Sequence, residues 1–179
     1  MAMRENIKNL IKIVSTAAVS VAIITQFVLP VNVYGRSMEP GFEHRDYLLV
    51  NRQAYNEYRL PARGDVILFS SDSAEKAVQE KILIKRIIGI PGDTIEINNG
   101  KVYINGNVLK EAYIKDDYTT GHVEPVTLSE NEYFCMGDNR VRSRDSRSSS
   151  VGLVNSEDIL GRVFMRIYPF GRAEMIKRL

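Results

Sequence analysis

The sequence predicts a mostly β domain behind a single N-terminal membrane helix, and three observations carry that prediction. The first is an uncharged run of 19 residues, Ile13 to Val31, preceded by Arg4, Lys8 and Lys12. The second is a series of short apolar segments beyond it, each closed by Gly, Pro, Asn or Asp. The third is a pair of Asn-Gly steps, Asn99-Gly100 and Asn105-Gly106, set between alternating segments, which is a strong hairpin signal.

Taken in order, residues 1–12 form a short basic N-terminus, 13–31 an anchor and 32–179 a β-rich domain. The apolar run is long enough to span a bilayer, although Ser15, Thr16, Ser20, Thr25, Gln26 and Pro30 make it polar for a membrane helix. The basic residues ahead of it predict a cytoplasmic N-terminus and an extracytoplasmic domain. A cleaved signal peptide is the rival reading, but no small-x-small pair follows the run, and a retained anchor is favoured. Tyr47 to Val50, Val66 to Phe69 and Ile82 to Ile90 read as strands, separated by Pro61-Ala-Arg-Gly-Asp65 and a polar loop from Ser70 to Glu80. A meander follows in which Thr94 to Ile97, Lys101 to Ile104 and Asn107 to Leu109 are joined by the Asn-Gly turns. Residues 110–131 carry little signal, and with the meander they make 98–131 the least certain part of the chain. Order resumes at Glu132 to Met136, and a last strand is expected over Arg162 to Tyr168.

A length of 179 residues leaves room for one catalytic domain plus the anchor. The net charge of +2 comes from charges of both signs spread along the chain, which argues against a general nucleic-acid surface. Cys135 is the lone cysteine, so no intrachain disulfide is possible, and no Cys/His spacing calls for a metal or cofactor.

The chemistry centres on Ser37, in Val33-Tyr-Gly-Arg-Ser-Met-Glu-Pro40. Gly35 before it allows close backbone approach and Pro40 restricts the residue ahead of it, so a tight connector is expected rather than a helix. A serine hydroxyl needs a base. His44 and His122, the two histidines, both sit in surface-like segments whose surroundings do not favour a Ser-His-Asp triad. The alternative is a lysine whose ammonium is destabilised by burial. Lys85 fits, because a strand over Ile82 to Ile90 puts it on one face with Leu83 and Ile87, and Arg86 on the other with Ile84 and Ile88. Ser37 follows Val31 by six residues, which places it within roughly 20 Å of the bilayer surface at about 3.3 Å per residue. Met38 and Phe42 are then candidates for the membrane interface or for the core. The segment from Gly137 to Arg147 is dense in charge. It reads either as a solvated basic loop or as paired ions among Asp138, Arg140, Asp145 and Arg147 that brace a site to which Ser143 offers a hydroxyl.

These stretches together resemble bacterial type I signal peptidases, the Gram-positive branch in particular. Ser37-Met38-x-Pro40 is similar to the nucleophile box and Lys85-Arg86 through Gly92-Asp93 to the lysine box. Gly137-Asp138-Asn139-Arg140 with Ser143-x-Asp145-Ser146-Arg147 is similar to the last box. The resemblance implies an antiparallel β-sheet catalytic domain and a Ser-Lys endopeptidase that removes signal peptides from exported preproteins through an acyl-enzyme. By position, Ser37 is the nucleophile, Lys85 the general base, Ser143 the residue that orients the amine, and Asp145, Arg147 and Arg86 brace the site. Met38 belongs to the nucleophile box, and Gly35 stands where some relatives carry an oxyanion hydroxyl, so the hole here would use backbone N–H groups such as that of Ser37. Arg142 departs from the family pattern by adding a charge near the site.

The partners this implies are preproteins with small residues at the third and first positions before the cut and the lipid bilayer, with no nucleic acid; the oligomeric state is left open, with a monomer favoured. A second reading is a non-enzymatic anchored β module that binds envelope partners. A third, a self-cleaving Ser-Lys repressor relative, needs a DNA-binding domain that twelve residues ahead of the span do not accommodate.

Overall fold

The computed structural model describes residues 2–71 and 82–178, so most of the polar loop expected over 70–80 lies outside the described residues. Helix α1 (Ala2–Phe27) opens the chain, and its stretch from Arg4 is long and apolar enough to cross a membrane. From Arg4 onward its side chains, Ile13 and Ile24 among them, are exposed. So much apolar surface is unfavourable in water and favourable in a bilayer.

The helix ends earlier than the apolar run does. Val28–Asn32, whose first four residues fall inside that run, is an edge strand, β1. Pro30 fits there because an edge strand leaves one row of N–H groups unpaired. The chain then turns through residues 35–42 and enters β2 (Tyr47–Asn51), β3 (Val66–Ser70) and β4 (Ile82–Gly89). Strands β5 (Thr94–Asn98), β6 (Lys101–Ile104), β7 (Asn107–Val108) and β8 (Val123–Thr127) come next. The chain closes with β9 (Glu132–Met136), β10 (Val154–Asn155), β11 (Ile159–Tyr168) and β12 (Glu174–Met175).

Two antiparallel sheets result. The larger has the order β1-β2-β11-β3-β4-β9-β10, with β12 added to β11. The smaller has the order β7-β6-β5-β8. The fold class is therefore as expected, mostly β and antiparallel behind one apolar helix. At Asn99 and Gly100 φ is +49° and +76°, the paired left-handed conformation that a two-residue hairpin of the favoured type requires.

Strand β4 is an interior member of the larger sheet, between β3 and β9, and is buried from Lys85 onward. Its period of two divides the interior. Leu83 and Ile87 pack with Ile67, Phe69, Tyr133 and Cys135, whereas Ile88 packs with Phe134, Met136 and the apolar face of the small sheet. Met38 and Phe42 belong to a third cluster with Leu48, Val50 and Leu68. Each is only 2% exposed, so both fill the core rather than dip into the membrane interface.

Candidate active site

Three segments meet at the site: the turn after β1, the middle of β4, and the connection from β9 to β10. Lys85 is 3% exposed, and its Nζ donates to Ser37 Oγ at 2.9 Å and to the Ile84 carbonyl at 3.1 Å. A residue 48 positions earlier is thus brought within one hydrogen bond of the amine. The Ser37 N–H has no acceptor among the described residues, so a donor stands beside the nucleophile.

The β9–β10 connection holds the turn in place through its backbone. Asn139 N–H donates to the Ser37 carbonyl at 3.0 Å, and Asn139 Nδ2 donates to the Arg36 carbonyl at 3.0 Å. Gly137 makes this possible. A Cβ there would stand 2.3 Å from both the Ser37 carbonyl oxygen and Ser143 Oγ, so only a residue without a side chain lets the two segments touch. Gly35 differs from expectation. Nothing lies within 4 Å of where its Cβ would be, and its φ of +90°, not close approach, is what favours glycine. Its N–H donates to His44 Nδ1 at 3.3 Å.

The charged residues form pairs. Arg86 binds Asp138 through two hydrogen bonds, Nε to Oδ1 at 2.8 Å and Nη2 to Oδ2 at 2.7 Å, and also donates to the Gly64 carbonyl. Arg147 binds both oxygens of Asp145 at 2.8 Å, and Asp145 Oδ2 accepts the Gly137 N–H at 3.0 Å. Burial disfavours the Asp145 carboxylate, but Arg147, the Ser143 hydroxyl and the Gly137 N–H outweigh it and hold the carboxyl below its ordinary range. Ser143 Oγ is close enough to feel that carboxylate yet makes no hydrogen bond of ordinary geometry, and it is buried. At Asp138, burial pushes the carboxyl upward against the pull of Arg86.

Sequence reasoning missed the partner of Arg140. It is Glu111, which accepts from Nη1 at 2.7 Å and also from the Tyr113 hydroxyl at 2.6 Å. The Arg86 guanidinium lies 4.3 Å from the centre of the Tyr113 ring, within reach of a cation–π contact. No local signal marks Glu111, because it meets Arg140 across 29 residues of chain. Arg142 is exposed, and His44 and His122 are exposed with no hydrogen bond to Ser37 among the described residues. No group of three metal-ligating side chains converges among the described residues.

Ser37 and Lys85 open onto a cleft of about 620 Å³. Leu29 to Tyr34 line one wall, Ile82 to Ile84 the other, and Met38 and Leu68 the floor. The surface between them is mainly aliphatic.

Known proteins are similar to this chain along much of its length. The family described as Signal peptidase, peptidase S26, matches residues 7–168. Signal peptidase I P of Bacillus subtilis subsp. natto is 32% identical over 186 aligned residues, covering 97% of this chain and 96% of its own. Signal peptidase I S of Bacillus subtilis strain 168 is 33% identical, covering 93% and 92%. The Probable signal peptidase I-2 of Synechocystis is 38% identical over 78% of this chain, which spans 63% of that relative's length. A crystal structure of a signal peptidase I from Enterococcus faecalis V583 is 31% identical over 58% of this chain and 97% of its own, with a TM-score of 0.46. A family match over nearly the whole chain, with full-length relatives at about one residue in three, leads to one conclusion: this chain belongs to the signal peptidase I family, the serine peptidases of peptidase S26.

Proposed function

We propose that the chain is a membrane-anchored endopeptidase that cuts signal peptides from preproteins by a Ser-Lys dyad through an acyl-enzyme. The observation that carries this reading is the 2.9 Å contact between Lys85 Nζ and Ser37 Oγ at the mouth of an apolar cleft. Burial at 3% exposure works against an ammonium, and the neutral amine is the form that accepts a proton. Ser37 Oγ attacks the scissile carbonyl carbon as Lys85 Nζ takes the hydroxyl proton. The oxyanion that forms is met by the Ser37 N–H. Collapse breaks the C–N bond, and Lys85 returns the proton to the departing amine. Water, deprotonated by the same amine, then attacks the ester and frees Ser37.

The cleft suits the signal-peptide half of the substrate. Its walls are the edge strand β1 and the start of β4, between which an extended chain finds backbone partners and aliphatic surface. Met38, Leu68 and Ile84 line the cleft beside Ser37, and small residues at the third and first positions before the cut are the ones taken to face them. The N-terminus faces the cytoplasm and the β domain the outside, in keeping with Arg4, Lys8 and Lys12 ahead of the apolar helix.

Cleavage of a preprotein in detergent tests the proposal. Ser37→Ala and Lys85→Met should each lose at least about a hundredfold in rate, the lower end of what a positioned base or nucleophile supplies. Full activity in either variant removes that residue from the mechanism. A serine-reactive peptide should label the wild type and not Ser37→Ala, an outcome a non-enzymatic binding module would not give.

A further inference from the structure

Ser37 stands between two clefts of opposite character. The apolar cleft is lined mainly by residues that precede Ser37 or Lys85 in the chain. The other, of about 370 Å³, reaches the same turn through Arg36 and Glu39, shares no lining residue with the first, and is built mainly of polar and charged groups. Its buried ions are already matched, Asp138 by Arg86 and Arg140 by Glu111. Its exposed rim is not. Arg36 is 3.7 Å from Glu39, a loose surface pair, whereas Arg142 and Lys115 are exposed and form no ion pair among the described residues. Asp116 is the other exposed carboxylate lining this cleft.

Asn139 fixes where two of these cations leave the backbone. Its N–H holds the Ser37 carbonyl, its Nδ2 holds the Arg36 carbonyl, and its Oδ1 accepts the Arg142 N–H at 3.2 Å. One residue thus ties the backbones of Arg36, Ser37 and Arg142 together, and both arginines line the polar cleft next to the nucleophile's turn. A substrate whose acyl half fills the apolar cleft must pass its other half over this turn.

We infer that the polar cleft receives the first residues after the scissile bond and favours an acidic side chain there, with Arg142 as the discriminating residue. The inference rests on the peptidase reading above. Exposed charge pairs are worth little each, so the preference is about threefold to fivefold for an acidic over a basic side chain, and salt weakens it.

The test uses full-length protein in detergent and preprotein peptides identical except for Asp, Asn or Lys at each of the first three positions after the cut. The ratio of kcat/KM for Asp over Lys should exceed one in the wild type, fall toward one with rising salt, and drop or invert in Arg142→Glu. Each variant is referred to its own rate on the Asn peptide, so a general loss of activity does not enter the ratio. A ratio that is the same in wild type and Arg142→Glu, or a wild-type preference for Lys, overturns the inference and leaves the peptidase reading standing. Failure of the wild type to cut any peptide overturns both.

Discussion

Ser143 carries a hydroxyl that is buried beside Gly137 and makes no hydrogen bond of ordinary geometry. A buried hydroxyl in that condition costs its desolvation, which offsets the help it gives the Asp145 carboxylate. Removing it should therefore be nearly neutral for the fold. If Ser143 orients the Lys85 amine, as its place next to the site suggests, the loss falls on the reaction instead. Ser143→Ala should melt within about 1 kcal/mol of wild type, while kcat falls by tenfold or more and KM changes little. Unchanged kcat would mean that Ser143 is not a positioning residue. Lys85 and Arg86 were legible one residue at a time, since a strand's period of two separates them onto faces and each face has its own task. Gly35 was legible as a glycine position but for the wrong reason, because sequence does not distinguish a left-handed backbone from a close approach.

The connection between β9 and β10 behaves as an element without regular structure, held by Asp145 at its centre. Asp145 meets Arg147 by two side-chain bonds and the Gly137 N–H by a third, so its charge is needed in the folded state. Its carboxyl is held below the ordinary range, so the stabilisation is complete above the unfolded value of about 3.9 and is lost as pH falls through the lower folded value. Asp145→Asn leaves Arg147 without its anion and should cost about 3–5 kcal/mol at pH 7. The gap between wild type and variant should narrow below about pH 4, where the wild-type carboxyl also takes up a proton. Denaturant melts at pH 7 and pH 3 measure it, and a gap of equal size at both rules out the charge as the cause. Other elements were less open to inspection. Strand β8 is an edge strand interrupted by Pro125, with little alternation to read, and β1 was hidden because its apolar residues continue the membrane run. The ion pairs around Arg147 follow from neighbours two residues apart, whereas the long-range partner of Arg140 leaves no trace in spacing.

At the scale of the whole molecule, the small sheet is more than an appendage. The segment between β7 and β8 delivers Glu111 to Arg140, Tyr113 to the face of Arg86 and Thr119 to Arg140, so the small sheet braces two of the arginines around the site. Glu111→Gln leaves Arg140 buried without a counter-charge and should cost about 3 kcal/mol or more. Melting that is unaffected by this change would show that the small sheet does not brace the site. The passage from α1 to β1 has a further result. Phe27 ends the helix and Val28 begins the strand with no residue between them, and that strand is a wall of the cleft beside Ser37 and Lys85. The anchor is therefore not a detachable tether. A secreted, detergent-free version of the enzyme has to begin at or before Val28, because trimming even a few residues further would unzip β1 from β2 and dismantle one wall of the cleft beside Ser37.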